Sequence, residues 1–308
     1  MKHFGSTSGL TVLAEDQATP ANGMVAYVTS SYNSGYQNGD IKLAALANSA
    51  TADRSVNNKP LTQYGTITAT PVATGADVVG YSGFLPSNYL EQPYNPDLPM
   101  LSTEPFVAMG WVKQAFTATQ VLVDRGPELT GQKRSVALVA NKIQFTGYAA
   151  NVTSNGSVTS NVWTHFACVY DGAGNAKIYL NGALDKSATV SWNDISTEPV
   201  MRIGLDTNGT LQANSSLALF RISATAPTAD QIAKIYNDEK LLFQPNAKAT
   251  LDGTSDAVTA LAHDPETDLL HVGTSQSRSV FYGLRRINQT GNAVTTAISA
   301  VDGLISEQ

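Results

Sequence analysis

Residues 161–187 read NVWTHFACVYDGAGNAKIYLNGALDKS, and their spacing decides the fold class. Trp163 to Tyr170 is rich in aromatic and β-branched residues, which suit a pleated, half-buried surface. The run stops at Asp171-Gly172-Ala173-Gly174-Asn175, a cluster with turn chemistry. Lys177 to Leu180 forms a second short run, and Asn181-Gly182 then supplies the pair of positive-φ residues that a tight type I′ hairpin needs. Strand, loop, strand, tight turn, strand is the reading.

The same texture extends outward. Gly65 to Ala69, Val107 to Val112, Thr119 to Asp124, Ser135 to Leu138, Ile143 to Tyr148, Met201 to Leu205 and Ser216 to Ile222 are further candidate strands. Pro, Gly and Asn clusters separate them at intervals typical of a sandwich or barrel. Near the end, Thr228-Ala229-Asp230-Gln231 spells a capping box, and Ile232, Ile235 and Tyr236 fall on one face of the helix it opens. The first 59 residues are rich in Gly, Ser and Asn, with a strand candidate at Met24 to Thr29. Tyr32 and Tyr36 there are either contact residues or packed loop aromatics. Beyond Gln244, Val258 to Ala262, a turn at Asp264–Asp268 and Leu269 to Gly273 read as a hairpin, with Ser279 to Leu284 as a third strand. That pattern is similar to one propeller blade.

Composition excludes several function classes. The net charge of −6 and the lack of a basic cluster disfavour a nucleic-acid partner. No apolar run approaches the roughly 18 residues needed to insert through a bilayer. Cys168 is the single cysteine, so no intrachain disulfide forms, and its place in an apolar strand predicts a packed thiol. The N-terminal MKHFGSTSGLTVLAED lacks the apolar core of a secretory signal.

Four segments carry a resemblance: EPFVAMGWVK (104–113), NVWTHFACVYDGAGNAKIYLNGAL (161–184), VMRIGLDTNG (200–209) and SLALFRISATAPTADQIAKIYN (216–237). In this order they resemble the concanavalin A-like, laminin-G-type jelly-roll domain. The resemblance implies an all-β, two-sheet sandwich with one short C-terminal capped helix. Trp111 and Trp163 would then pack in its core. The expected domains are an assembly segment at 1–59, the sandwich at 60–244 and a β-rich, blade-like assembly segment at 245–308.

SSYNSGYQNGDIKLA, GYSGFLPSNYLEQPYNPDL and the blade-like tail are further similar to tail-associated structural proteins of bacteriophages. That likeness implies a virion component, a tail, fibre or appendage protein, made and folded in the host cytoplasm. Its partners would be other virion proteins and copies of itself, in a trimer or ring, with a host-surface glycan bound in host attachment. A purely architectural virion protein is the alternative within the same class.

The enzyme reading needs two facing carboxylates. Jelly-roll glucanases carry them as Glu-x-Asp-x-Glu on one strand, and no such triplet occurs between residues 80 and 243. No nucleophile elbow, phosphate loop or His-x-x-x-His spacing is present either. The expectation is a non-enzyme, with a glycan-acting hydrolase using scattered acids such as Glu91, Asp97 or Asp124 as the competing reading. For glycan binding, Trp192-Asn193-Asp194 and Tyr148 combine an aromatic plane with amide and carboxylate groups, although Trp192 would also serve as a core plug. Calcium is the cofactor the resemblance implies, with Asp206 and Asn208 as candidate ligands in Asp-Thr-Asn-Gly. The same four residues also suit a metal-free Asx turn.

Overall fold

A computed structural model describes residues 41–47, 49–55, 57–98, 100–115, 118–126, 133–147, 150–193, 200–247, 251–254, 257–283 and 285–308. The strands are β1 (Ile41–Ala45), β2 (Thr62–Tyr64), β3 (Thr68–Pro71), β4 (Val79–Ser82), β5 (Tyr89–Gln92), β6 (Pro105–Gln114), β7 (Gln120–Arg125), β8 (Arg134–Val139), β9 (Lys142–Thr146) and β10 (Asn151–Thr153). They continue as β11 (Trp163–Asp171), β12 (Asn175–Leu180), β13 (Ala183–Thr189), β14 (Met201–Ile203), β15 (Ser215–Ser223), β16 (Val258–Asp264), β17 (Leu269–Thr274), β18 (Arg278–Tyr282), β19 (Arg285–Thr290), β20 (Ile298–Val301) and β21 (Leu304–Glu307). Among the described residues one α-helix, α1, spans Ala229–Glu239.

Two large antiparallel sheets make the jelly-roll sandwich. One runs β13-β12-β11-β6-β15-β4-β3, with β1 also paired to β15; the other runs β10-β9-β8-β7-β14-β5-β2. The central strand β6 explains the layering. Phe106, Ala108 and Val112 face the second sheet, where they join Leu122, Phe145, Phe166 and Ile203 in the main core. Val107 and Met109 point the other way and pack with Ala167, Val169 and the helix residues Ile232 and Ile235. A strand covered on both faces reads as a continuous apolar run, which is why PFVAMGWV does not alternate. Gly110 has a further reason: a Cβ there would lie 3.2 Å from Phe220 Cα, where β15 bulges between Ala218 and Arg221.

The 161–187 ladder forms as read. Asn181 (φ 48°) and Gly182 (φ 81°) close the β12–β13 hairpin, with Leu180 opposite Ala183. Asp171 Oδ1 accepts from the Ala173 and Asn175 amides, at 2.8 and 2.9 Å, and holds the preceding turn. The capping box is reciprocal: Gln231 N donates to Thr228 Oγ1 at 3.2 Å, and Thr228 N donates to Gln231 Oε1 at 2.8 Å.

The domain limits differ from the expected 60–244. The described residues form two compact units, 41–70 with 79–238 and 71–78 with 239–308. β1 belongs to the sandwich because Ile41 and Ala44 pack in the helix-side cluster while Leu43 and Ala45 enter the main core. Its five residues are too short to stand out from polar surroundings, which hid them in the sequence. Residues 71–78 join the other unit through backbone bonds, Asp77 N to Ala247 O and Asn246 N to Thr74 O. The Met24 to Thr29 strand candidate, Tyr32 and Tyr36 lie outside the described residues.

The second unit contains a four-stranded antiparallel meander, β16-β17-β18-β19, and a two-stranded hairpin, β20-β21. The hairpin read at 258–273 is present, and the third strand has a fourth beside it. Asp264, a buried carboxylate, ties two turns together by accepting from Glu266 N, Thr267 Oγ1 and Gly303 N.

Candidate functional site: an aromatic and charged stack on the second sheet

Trp192 is not a surface platform. It is 5 % exposed and packs against Phe145, Tyr170 and Phe106, with Arg134 over its ring at 5.0 Å. Its Nε1 donates to Ala150 O at 2.9 Å, and a methyl group at Gly147 would overlap its indole. Burial with its one polar atom satisfied is what a core Trp requires. Asn193 is exposed, and its carbonyl accepts from Arg134 Nη2 at 2.9 Å. Asp194 and Tyr148 lie outside the described residues. Trp192 therefore presents no open aromatic face for a sugar.

Asp206 is likewise occupied. Oδ1 accepts from Thr210 N (2.6 Å) and Leu211 N (2.8 Å), and Oδ2 accepts from Thr210 Oγ1 (2.8 Å). Asn208 is exposed at the same turn. A calcium shell takes 6–8 oxygens, and a carboxylate spent on the donors of its own turn does not fit as a ligand. Among the described residues no three His, Cys, Asp or Glu side chains cluster in metal-binding geometry. Asp206 instead closes its own turn, accepting from residues four and five positions on.

Trp111 is buried as expected, on the helix side, stacked on Tyr236 with centroids 5.7 Å apart. Trp163 differs from the core reading: it is half-buried, lies close over Gly80 and has Lys113 Nζ 5.4 Å from its ring.

A different group of side chains converges on the second sheet. Strands β2, β5 and β14 lie side by side, with Tyr64 opposite Tyr89 and Arg202 opposite Glu91. The Tyr64 and Tyr89 rings stack with centroids 4.6 Å apart and an interplanar angle of 15°. Arg202 Cζ lies 4.7 Å from the Tyr89 ring, so the stack runs tyrosine, tyrosine, guanidinium. Arg202 Nε donates to Glu91 Oε2 at 2.9 Å, while Nη1 donates to the Asp206 and Thr207 carbonyls at 3.3 and 3.0 Å. The Asp206 turn thus helps hold the guanidinium in place. Tyr64 ends the stack on the edge strand at 40 % exposure, and its hydroxyl lies 3.5 Å from Glu91 Oε1. The Glu91 carboxylate holds the Tyr64 phenol above its ordinary range. Tyr94, also 40 % exposed, follows β5, with Arg125 5.9 Å from its ring.

The acids of the competing hydrolase reading do not face one another across a gap. Glu91 and Asp124 both lie opposite Arg202, one on each side, so the guanidinium stands between them. Two strand spacings separate their backbones by about 9.5 Å. Asp124 is buried. Burial pushes its carboxyl up, against the opposing pull of Lys133, whose Nζ is 3.4 Å away. Thr207 N and Oγ1 both donate to it. Asp97 pairs with Lys59 at 3.2 Å.

Residues 94–233 match the family model described as the concanavalin A-like lectin/glucanases superfamily. The matched stretch lies within the sandwich, which is similar to domains of that superfamily. The matched stretch includes Arg202, whereas Tyr64, Tyr89 and Glu91 precede it. No curated protein matches the chain. Among solved structures, the chain is similar to the receptor binding domain of botulinum neurotoxin C/D mosaic serotype, with TM-score 0.51 and 12% identity over 65% of this chain. That alignment takes in 51% of the neurotoxin domain, about half its length. Domain 4 of AbnA, an extracellular arabinanase from Geobacillus stearothermophilus solved with arabinotriose, aligns at TM-score 0.50 and 19% identity. It is covered over 99% of its length by 64% of this chain. The binding domain of Paraclostridial Mosquitocidal Protein 1 aligns at TM-score 0.54 and 11% identity, over 83% of this chain and 68% of that one. At these identities the likeness is one of fold.

Proposed function

We propose that the chain is a non-enzymatic bacteriophage virion component, a tail, fibre or appendage protein, whose sandwich binds host-surface glycan through Tyr64, Tyr89, Glu91 and Arg202. The stack carries this reading. A sugar ring offers an apolar C–H face and a polar hydroxyl edge. Tyr64 supplies a flat, partly exposed apolar plane, while its hydroxyl and the Glu91 carboxylate supply directional partners at the rim. Such a site, mostly apolar with a few placed polar groups, is the usual design for small-ligand recognition. Both charged members are held in fixed positions, so binding does not bear the cost of ordering them.

The competing hydrolase is less well supported, because Arg202 separates Glu91 from Asp124 and the latter is enclosed. Virion membership rests on the resemblance of the Tyr- and Asn-rich segments and is tested by labelling intact particles with antibody to this chain.

The binding test is titration of host-surface polysaccharide fragments into the purified chain. Tyr64→Ala should weaken binding at least tenfold, about 1.4 kcal/mol, with the fold intact. Equal affinity in the variant would remove the stack from the site. Failure of the native chain to bind any host glycan would leave the architectural reading. Reducing-sugar release that vanishes in Glu91→Gln would establish the hydrolase.

A further inference from the structure

The β20–β21 hairpin has one side unaccounted for. Its ladder pairs Val301 with Leu304, Ala300 with Ile305, Ser299 with Ser306 and Ile298 with Glu307 around a tight Asp302-Gly303 turn, where φ is 50° and 77°. In a two-residue hairpin the pair flanking the turn is hydrogen-bonded, and bonded pairs then recur at every second position. The bonds between Ala297 and Gln308, 3.0 and 3.3 Å, sit where that alternation puts them. Consequently the N–H and C=O groups of Ile305 and Glu307 point away from β20. β21 has no other strand beside it among the described residues, because β20 is the hairpin's single partner for it.

Edges of this kind are normally blunted by Pro, a bulge, or outward charges. β21 has none of these. Its register is unbroken, its sequence is Leu-Ile-Ser-Glu, and its one charge, Glu307, is engaged by Arg278 at 2.6 Å. The strand is also firmly presented, since the Gln308 carbonyl accepts from the amides of Thr295, Thr296 and Ala297. Beside the edge, Leu304 is 75 % exposed and its cross-strand neighbour Val301 is 57 % exposed.

We propose that β21 is a self-association edge: two copies of this chain pair their β21 strands antiparallel about a twofold axis at Ser306. Pairing about Ser306 sets Ile305 opposite Glu307 of the second copy, and the reverse. All four outward N–H groups and carbonyls of the two residues then find partners, in four hydrogen bonds. No side chain bulkier than serine meets its own copy on the axis. Two two-stranded hairpins then become one four-stranded sheet. Because the contact is isologous, one surface serves both partners. The twofold contact closes as a dimer, distinct from the trimer or ring expected of a virion component, and it is tested independently of glycan binding.

The experiment is sedimentation of the full chain together with amide exchange at high and low protein concentration. A dimer is expected, with the Ile305 and Glu307 amides protected at high concentration and released on dilution. Ile305→Pro removes an outward N–H that the hairpin does not use and should weaken the dimer at least tenfold, leaving Ser299 and Ser306 protected. Leu304→Lys, which alters charge without touching the backbone, should also weaken it. A monomeric native chain, a dimer indifferent to both variants, or exchange at Ile305 independent of concentration would each overturn the proposal. A Tyr64→Ala chain should dimerise normally, so loss of glycan binding and loss of association read separately.

Discussion

The sandwich and the 258–308 region are both antiparallel β structure, yet they are held together by different means. The sandwich buries Phe84, Leu90, Phe106, Leu122, Phe145 and Phe166 between two sheets, and β6 is covered on both faces. The second region leaves Val258, Leu261, Tyr282, Ile287, Val301 and Leu304 at the surface. It relies on local polar ties, such as Asp264 across two turns and Thr274 Oγ1 accepting from the Gln276 and Ser277 amides. Apolar area removed from water scales with the number of facing layers, so two stacked sheets obtain far more of it than one sheet and a hairpin. The difference teaches that the sandwich closes its main core between two layers, while the second region has fewer layers to cover its apolar side chains.

Four measurements break or sharpen this contrast. The largest effect is expected for Trp192→Ala, which removes a large buried aromatic together with its hydrogen bond to Ala150 O. It should cost about 3–5 kcal/mol in chemical denaturation of the sandwich. A cost under about 1 kcal/mol would show that Trp192 is a surface residue after all.

Acid is the next lever. His165 is fully enclosed beside Trp111 and Tyr236, and burial, reinforced by Arg221, pushes its pKa down to about 3. The unfolded chain binds its proton near pH 6.5, so stability from neutral His165 is fully present above that value. It is lost as pH falls from 6.5 toward 3, by about 2–3 kcal/mol at pH 4.5. Denaturation at pH 7 and pH 4.5 checks the sign, and His165→Gln should flatten the difference. An unchanged pH dependence in that variant would assign the acid sensitivity to another group.

A smaller effect, about 1 kcal/mol, is expected for Thr228→Ala, which leaves the Gln231 amide uncapped at the start of α1. It should loosen the helix while the two sheets stay intact, as read by helical amide exchange. Smallest in global terms is Asp264→Ala. Its effect should be confined to faster exchange at Glu266 and Gly303, because the carboxylate ties local turns rather than a shared core. Loss of the sandwich transition in this variant would refute the distinction between the two regions.

Strands with strong local chemistry were legible in the sequence. The β11–β12–β13 ladder, the Thr228 box and the hairpin at 258–273 form where the turn residues and apolar runs placed them. Short strands were not. β1, β2 and β5 have three to five residues each and depend on neighbours distant in sequence. The same limit applied to the site. Tyr64, Tyr89 and Arg202 come from three strands separated along the chain, and no spacing rule connects them. The tyrosine and glutamate of SNYLEQ could have been marked as alternating on one strand face, but which face was open could not.

What the sequence by itself determined was local: the turns, the capping box, the alternation and the continuous apolar runs, because backbone torsion preferences and side-chain periodicity act over a few residues. Tertiary structure alone decided that Trp192 lies inside, that Asp206 is consumed by its own turn, that Tyr64 ends an ordered stack and that β21 pairs with β20 alone among the described residues. Each of these depends on which strands become neighbours, and pairing partners are chosen by burial summed over the whole sandwich rather than by any segment's own chemistry.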